Sequence, residues 1–124
     1  MLEQFKVKPE DAVRVREEDL RETVEAIFKK MGLDRKDSAL GADVLLKADM
    51  RGVDTHGVSN ILRGYVTGYG NGEINPYPEW IITRETPSTA NIDGDKGLGI
   101  IVAPKAMELA IKKAKEVGMG VVTI

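Results

Sequence analysis

The single histidine of this 124-residue chain lies in the string Arg51-Gly52-Val53-Asp54-Thr55-His56-Gly57. Imidazole exchanges its proton near neutral pH, and its ring nitrogens can donate to a carbonyl or carboxylate oxygen. Asp54 and Thr55 precede it, one able to fix the ring or cap a helix, the other to add a hydroxyl. Gly57 permits close approach to the backbone, and the helix expected after it begins with unpaired amides that suit an anion. The string is therefore a candidate seat for a small anionic substrate, with His56 donating to one of its oxygens. The same residues also allow a plainer reading: a structural histidine, an aspartate that only caps, and Arg51 and Arg63 as solvated surface cations. No metal site is expected, because one histidine and no cysteine leave only carboxylates as ligands.

A second string, Asp93-Gly94-Asp95-Lys96-Gly97-Leu98-Gly99, leaves an expected strand and enters an expected helix, the setting of a phosphate cradle. Its pattern fails as a dinucleotide fingerprint: with Gly97 and Gly99 as the first two glycines, Val102 stands where the third belongs. It also lacks the Lys-Ser/Thr of a P-loop. Turn geometry explains it better.

Elements that position these strings follow from periodicity. Arg16-Glu17-Glu18-Asp19 puts acid at a helix start, and Leu20, Val24, Ile27, Phe28 and Met31 share one face before Gly32 as a left-handed cap. Asp34 is placed to cap a second helix carrying Leu40, Val44, Leu45 and Ala48, which runs out at Gly52. Val58, Ile61, Leu62 and Tyr65 predict a third, short helix over 58–65. Gly68 to Gly72, Pro76 and Pro78 predict a turn-laden connection. Trp80–Thr83 and Thr89–Asp93 then read as strands around Thr86-Pro87-Ser88, a hairpin turn. Ile100–Val117 returns to helical spacing through Val102, Ala106, Leu109 and Ala110, with Lys112, Lys113 and Lys115 late in the helix, where cations are favoured. Gly118 ends it, and Met119–Ile124 predicts a buried strand. The fold class is thus α/β: a helical segment over about 16–66, then a β-β-α-β segment over about 79–124 with a mixed sheet and a packed helix.

Eighteen basic against 20 acidic residues, for a net charge of −2, with no basic block, argue against a nucleic-acid partner. The absence of cysteine fits a reducing cytoplasm. Residues 1–10 carry no apolar leader core, and no run reaches the roughly 18 apolar residues of a membrane span. A cytoplasmic protein without a membrane partner is the expectation. Because the last apolar run stops without a turn or polar tail, the chain reads as a piece of something longer. The residues alone leave two readings open: part of an enzyme, or a small non-catalytic α/β interaction domain.

Ala48-Asp49-Met50-Arg51-Gly52-Val53-Asp54-Thr55-His56-Gly57-Val58-Ser59, followed by Asp93–Gly99 and Pro104-Lys105-Ala106-Met107, resembles the malate/L-lactate dehydrogenase family. This group includes sulfolactate and ureidoglycolate dehydrogenases and is unrelated to the Rossmann-type enzymes. The resemblance runs from about Val13 to Ile124 and implies the N-terminal portion of a homodimeric oxidoreductase. That enzyme exchanges hydride between NAD or NADP and a small 2-hydroxy acid such as malate or lactate, or its 2-oxo counterpart. It implies an incomplete piece of that family's α/β fold. His56 would be the catalytic-site histidine that orients the acid, and Thr55 would line the pocket beside it. An arginine often stands four residues after this histidine to hold the substrate carboxylate. This chain has Asn60 there, with Arg63 one turn further on as the available cation. The family's usual general acid/base histidine, and most of its cofactor contacts, belong to sequence beyond Ile124.

Overall fold

A computed structural model describes residues 8–124; residues 1–7, part of the stretch read above as lacking a leader core, lie outside the described residues. The α-helices and strands follow in the order α1 (Glu17–Lys30), α2 (Arg35–Met50), α3 (Arg63–Gly70), β1 (Ile81–Glu85), β2 (Thr89–Asp93), α4 (Gly99–Val117) and β3 (Val121–Thr123). A 3-10 turn at Asp54–His56 and a π-helical turn at Val58–Leu62 lie between α2 and α3. The chain divides into two compact units, one ending at Thr67 and one spanning Gly68–Ile124.

In the first unit α1 buries Val24 and Phe28 completely, while Leu20, Ile27 and Met31 flank them half-buried. Sealing a Phe28-sized side chain from water contributes roughly 1.5–3 kcal/mol. The helix stops as expected at Gly32, whose φ of 107° lets Leu33 N–H reach back to Phe28 O at 3.2 Å while Gly32 N–H donates to Lys29 O at 3.1 Å. Asp34 then caps α2, accepting from Asp37 N–H at 2.7 Å.

The buried face of α2 differs from the expected one. Ser38, Gly41, Ala42, Leu45 and Leu46 face the core, whereas Leu40, Val44 and Ala48 are only half-buried. The reason is size. A Cβ on Gly41 would lie 2.8 Å from Phe28 Cε2, so the ring rests on the helix backbone, and small residues must form the face that meets it. A search for large apolar residues at helical spacing looks past such a face. The helix ends as α1 does, with Gly52 at φ 70° and Val53 N–H donating to Ala48 O at 2.9 Å.

The third helical stretch also departs from expectation. It starts at Val58 with a π-helical turn and continues as α3 to Gly70, through glycines read above as loop. Ile74 folds back over Gly68, where a Cβ would meet Ile74 Cδ1 at 2.7 Å, so the position has no room for a side chain. The chain turns instead at Gly72, at φ 72°, with Ile74 N–H donating to Gly68 O at 3.1 Å.

In the second unit β1 and β2 form the expected antiparallel hairpin, closed by Thr86 N–H to Thr89 O at 2.9 Å and by Thr89 N–H to Thr86 Oγ1 at 3.0 Å. The register slips between Ile82 and Arg84. After α4 the chain returns as β3, parallel to β2, so the sheet is mixed with order β1-β2-β3. Ala90 and Ile92 of β2 share the core with Ile101, Val102, Ala106 and Ala110 of α4, and Leu109 is half-buried at its margin.

Lys113, placed late in α4 as expected, has a further role: only 5% exposed, it donates through Nζ to Glu85 Oε1 and to Thr86 O, each at 2.7 Å, and ties the hairpin tip to α4. A long side chain can bury its stem while its charge finds partners. The strand after Gly118 forms, but it is not buried, since Val121 is 46% exposed. Among the described residues β3 pairs with β2 alone and is a sheet edge, so its apolar run faces solvent on the open side.

Candidate functional site

The histidine turn is built from the end of α2. Once Gly52 has terminated that helix, His56 N–H donates to Val53 O at 2.9 Å and Gly57 N–H to Asp54 O at 3.3 Å, which closes the 3-10 turn. His56 is exposed, and Thr55 Oγ1 lies 2.8 Å from its Nδ1. With Nδ1 engaged by its neighbour, Nε2 is the ring nitrogen left for a ligand. If Thr55 donates to Nδ1, Nε2 carries the proton and is a donor; if Nδ1–H donates, Nε2 is an acceptor.

Asp54 neither holds the ring nor caps the next helix: among the described residues its backbone oxygen does the work, accepting from Asn60 Nδ2 at 2.7 Å. The capping carboxylate is Asp49, from the last turn of α2. Its Oδ2 accepts from Val58 N–H at 2.9 Å, and its Oδ1 lies so close over Gly57 that an added Cβ would overlap it. Gly57 has φ −89° and ψ −174°, a conformation open to any residue. It is glycine for want of room, and the group that fills the room is Asp49, not a ligand.

Of the residues singled out in the sequence, Thr55 and His56 are joined directly, and Asn60 is joined to the turn through Asp54 O. Arg63 begins α3 and is exposed, with none of the turn's hydrogen bonds. A groove of about 580 Å³ opens beside Asp49, lined by Val13, Leu20, Leu46, Met50 and Val58, but His56, Thr55, Asn60 and Arg63 are not in its wall. Asp49 is the residue that reading the sequence missed. Its signal was its position: an acid in the last turn of a helix sits against the unfavourable end of the macrodipole, which points to a partner elsewhere.

The glycine string in the second unit is closed on itself. Asp95 and Lys96 take left-handed φ values of 49° and 56°, and the Asp95 carboxylate accepts from Asn75 Nδ2 at 2.8 Å and from Glu79 N–H at 3.1 Å. Asp95 N–H in turn donates to Asp93 Oδ1 at 2.9 Å, and Gly97 N–H to Gly94 O at 2.8 Å. Two of the loop's own N–H groups are thus taken up by its own oxygens, in keeping with a turn. Among the described residues no cluster of acids and histidine fits a metal, and no helix is long and apolar enough to cross a membrane.

Charge pairing elsewhere is local. Lys47 and then Arg21 hold the Asp43 carboxyl below its ordinary range, and Lys113 does the same to Glu85. Burial raises the Tyr65 phenol.

Comparison with known proteins gives these geometries a setting. The chain is 50% identical over 96 residues to L-sulfolactate dehydrogenase of Methanocaldococcus jannaschii, covering 77% of this chain and 28% of that protein. It is 43% identical over 113 residues to malate dehydrogenase of Pyrococcus horikoshii, covering 91% of this chain and 31% of that one. The solved structure of the P. horikoshii enzyme superposes with a TM-score of 0.85 at 44% identity over 89% of this chain and 31% of its own. The class defined by these matches is that of the dehydrogenases. The chain belongs to the malate/L-lactate dehydrogenase family, whose profile matches residues 15–124. It spans less than a third of the length of these relatives.

Proposed function

We propose that this chain is the N-terminal portion of a dehydrogenase that exchanges hydride between a nicotinamide cofactor, NAD or NADP, and a small 2-hydroxy acid. Malate, lactate and sulfolactate define the substrate class by analogy with the relatives named above. Dehydrogenases of the family are nicotinamide-dependent in general. Following the family resemblance, we assign most of the cofactor site and the proton-transfer base to the rest of the enzyme. A cytoplasmic homodimer is the assembly we infer for the whole protein.

The observation that carries this reading is the histidine turn. His56 is exposed, its Nδ1 is engaged by Thr55, and its turn is held by hydrogen bonds on both sides. An anionic acid is then met by Nε2 of His56, with Asn60 and Arg63 following in the next turns. Arg63 is the cation we assign to the carboxylate, in the place the family often gives to an arginine at position 60. In this arrangement His56 orients the acid and stabilises charge on its oxygens; it does not abstract the proton. Such a contact gains strength when water is excluded, so the exposed ring must be covered by the rest of the enzyme.

The test is a kinetic screen of the full-length enzyme against malate, lactate and sulfolactate with both cofactors, repeated for His56→Ala. A fall in kcat/KM of about 10²–10³-fold is expected, the range for loss of one oriented charge-stabilising group. Wild-type kinetics for His56→Ala on every acid would sink the assignment.

A further inference from the structure

Asp49 has no role in its own helix. It sits in the last turn of α2, where the helix macrodipole disfavours a carboxylate, and its Oδ2 is committed to Val58 N–H at 2.9 Å. Its Oδ1 packs on the Cα of Gly57, the residue next to His56. We propose that Asp49 is a positioning residue for His56. Its carboxylate fixes the Gly57–Val58 peptide from the α2 side, while Asn60 Nδ2 fixes Asp54 O from the far side, so the backbone that carries the ring is held on both sides. The carboxylate does a second thing. The Val58 amide would otherwise offer itself to an anion at the start of the helix, and Asp49 occupies it, so an incoming acid is left with the side chains of the turn. Neutralising that seat from within directs the acid toward His56.

This inference rests on the reading of His56 given above, and the experiment separates the two. In the full-length enzyme, Asp49→Ala and Asp49→Ser are expected to lower kcat/KM for malate by about 10–100-fold, at temperatures where both proteins are folded, the loss produced by displacing a reacting group by about an ångström. The loss should fall mainly on kcat. Asp49→Asn keeps an oxygen for Val58 N–H and recovers most of the activity. Adding Asp49→Ala to His56→Ala should cost nothing further, because a residue acting through another has no separate effect once that other is gone. Hydrogen exchange over residues 54–62 should speed up in the two truncations and not in Asp49→Asn.

A merely structural Asp49 would lower the melting temperature and leave the kinetics of the folded enzyme unchanged, and that result overturns the proposal. So do additive losses in the double variant. If neither truncation folds, Gly57→Ala supplies the same test by displacing the carboxylate without removing it: wild-type kinetics there also overturn it. Wild-type kinetics for His56→Ala remove the reading of the turn and this inference with it. Impaired His56→Ala beside unimpaired Asp49 variants removes this inference alone.

Discussion

The Asp54–Gly57 turn and the Asp93–Gly99 loop are written in the same residues, aspartate and glycine before a helix, and the two behave differently. In the second the aspartate is the loop's own. Asp95 turns inward and ties the loop to Asn75 and Glu79 of the preceding connection. In the first the aspartate comes from the preceding helix. Asp49 satisfies the backbone from outside, so the turn's own side chains, Thr55 and His56 above all, are not used up in holding it together. An active-site turn needs its stability supplied from elsewhere if its side chains are to stay free for chemistry. On the proposed reading, who provides the carboxylate separates a connection from a candidate site.

That difference can be broken by experiment. The largest effect expected is on catalysis: where His56→Ala lowers kcat/KM by the 10²–10³-fold given above, Asp95→Ala should leave it within about twofold while lowering stability by roughly 1–2 kcal/mol through lost hydrogen bonds. A folded Asp95→Ala enzyme that has lost activity would make the loop part of the site and end the contrast. Next comes stability at the glycines. Gly97→Ala puts a Cβ 2.7 Å from Val102 Cγ2 and 2.9 Å from Gly94 O, one of them backbone that cannot step aside, so a cost of about 2–3 kcal/mol is expected in denaturant unfolding. Gly57→Ala meets the end of the Asp49 side chain, which can swing away, and should cost about 1–2 kcal/mol while harming activity more than Gly97→Ala does. The reverse order in either measurement would contradict the assignment.

The smallest effect concerns the Lys113 tether. Lys113 lowers the Glu85 carboxyl below its ordinary 4.5, so the folded state binds that proton less readily than the unfolded chain does. The stability this contributes is complete above pH 4.5 and is lost as pH falls through the lowered value. Thermal midpoints of wild type and Lys113→Met should therefore differ near neutrality and converge in acid. Glu85 is half-exposed, so solvent screening keeps the difference small.

Where large apolar residues and caps decide the structure, the sequence was enough. The α1 face, the Asp34 cap, the glycine terminators and the Thr86–Ser88 hairpin are all local, each set by residues within a few positions of one another. What escaped depends on partners far along the chain or on residues defined by being small. Phe28 chooses Gly41 as its neighbour, thirteen positions away, and moves the core face of α2 with it. Ile74 takes the space over Gly68, and Glu85 makes burial of Lys113 possible. The site divides the same way. His56 and Thr55 announce themselves by type and adjacency, whereas Asp49 is recognisable only once α2 has turned its last residues toward the next helix.

Gly57 carries a warning for anyone who would stabilise this protein by design. Replacing glycine with alanine at a backbone angle that alanine tolerates ordinarily raises stability by about 0.4–1 kcal/mol, because the unfolded chain has fewer conformations to lose. Judged by its dihedral angles Gly57 qualifies, and Gly52, with φ at 70°, does not. The angles mislead at Gly57, where the space a methyl would need is already held by a carboxylate. Alanine at this position should therefore lower stability while Asp49 is present and approach the ordinary gain only together with a shorter residue at position 49.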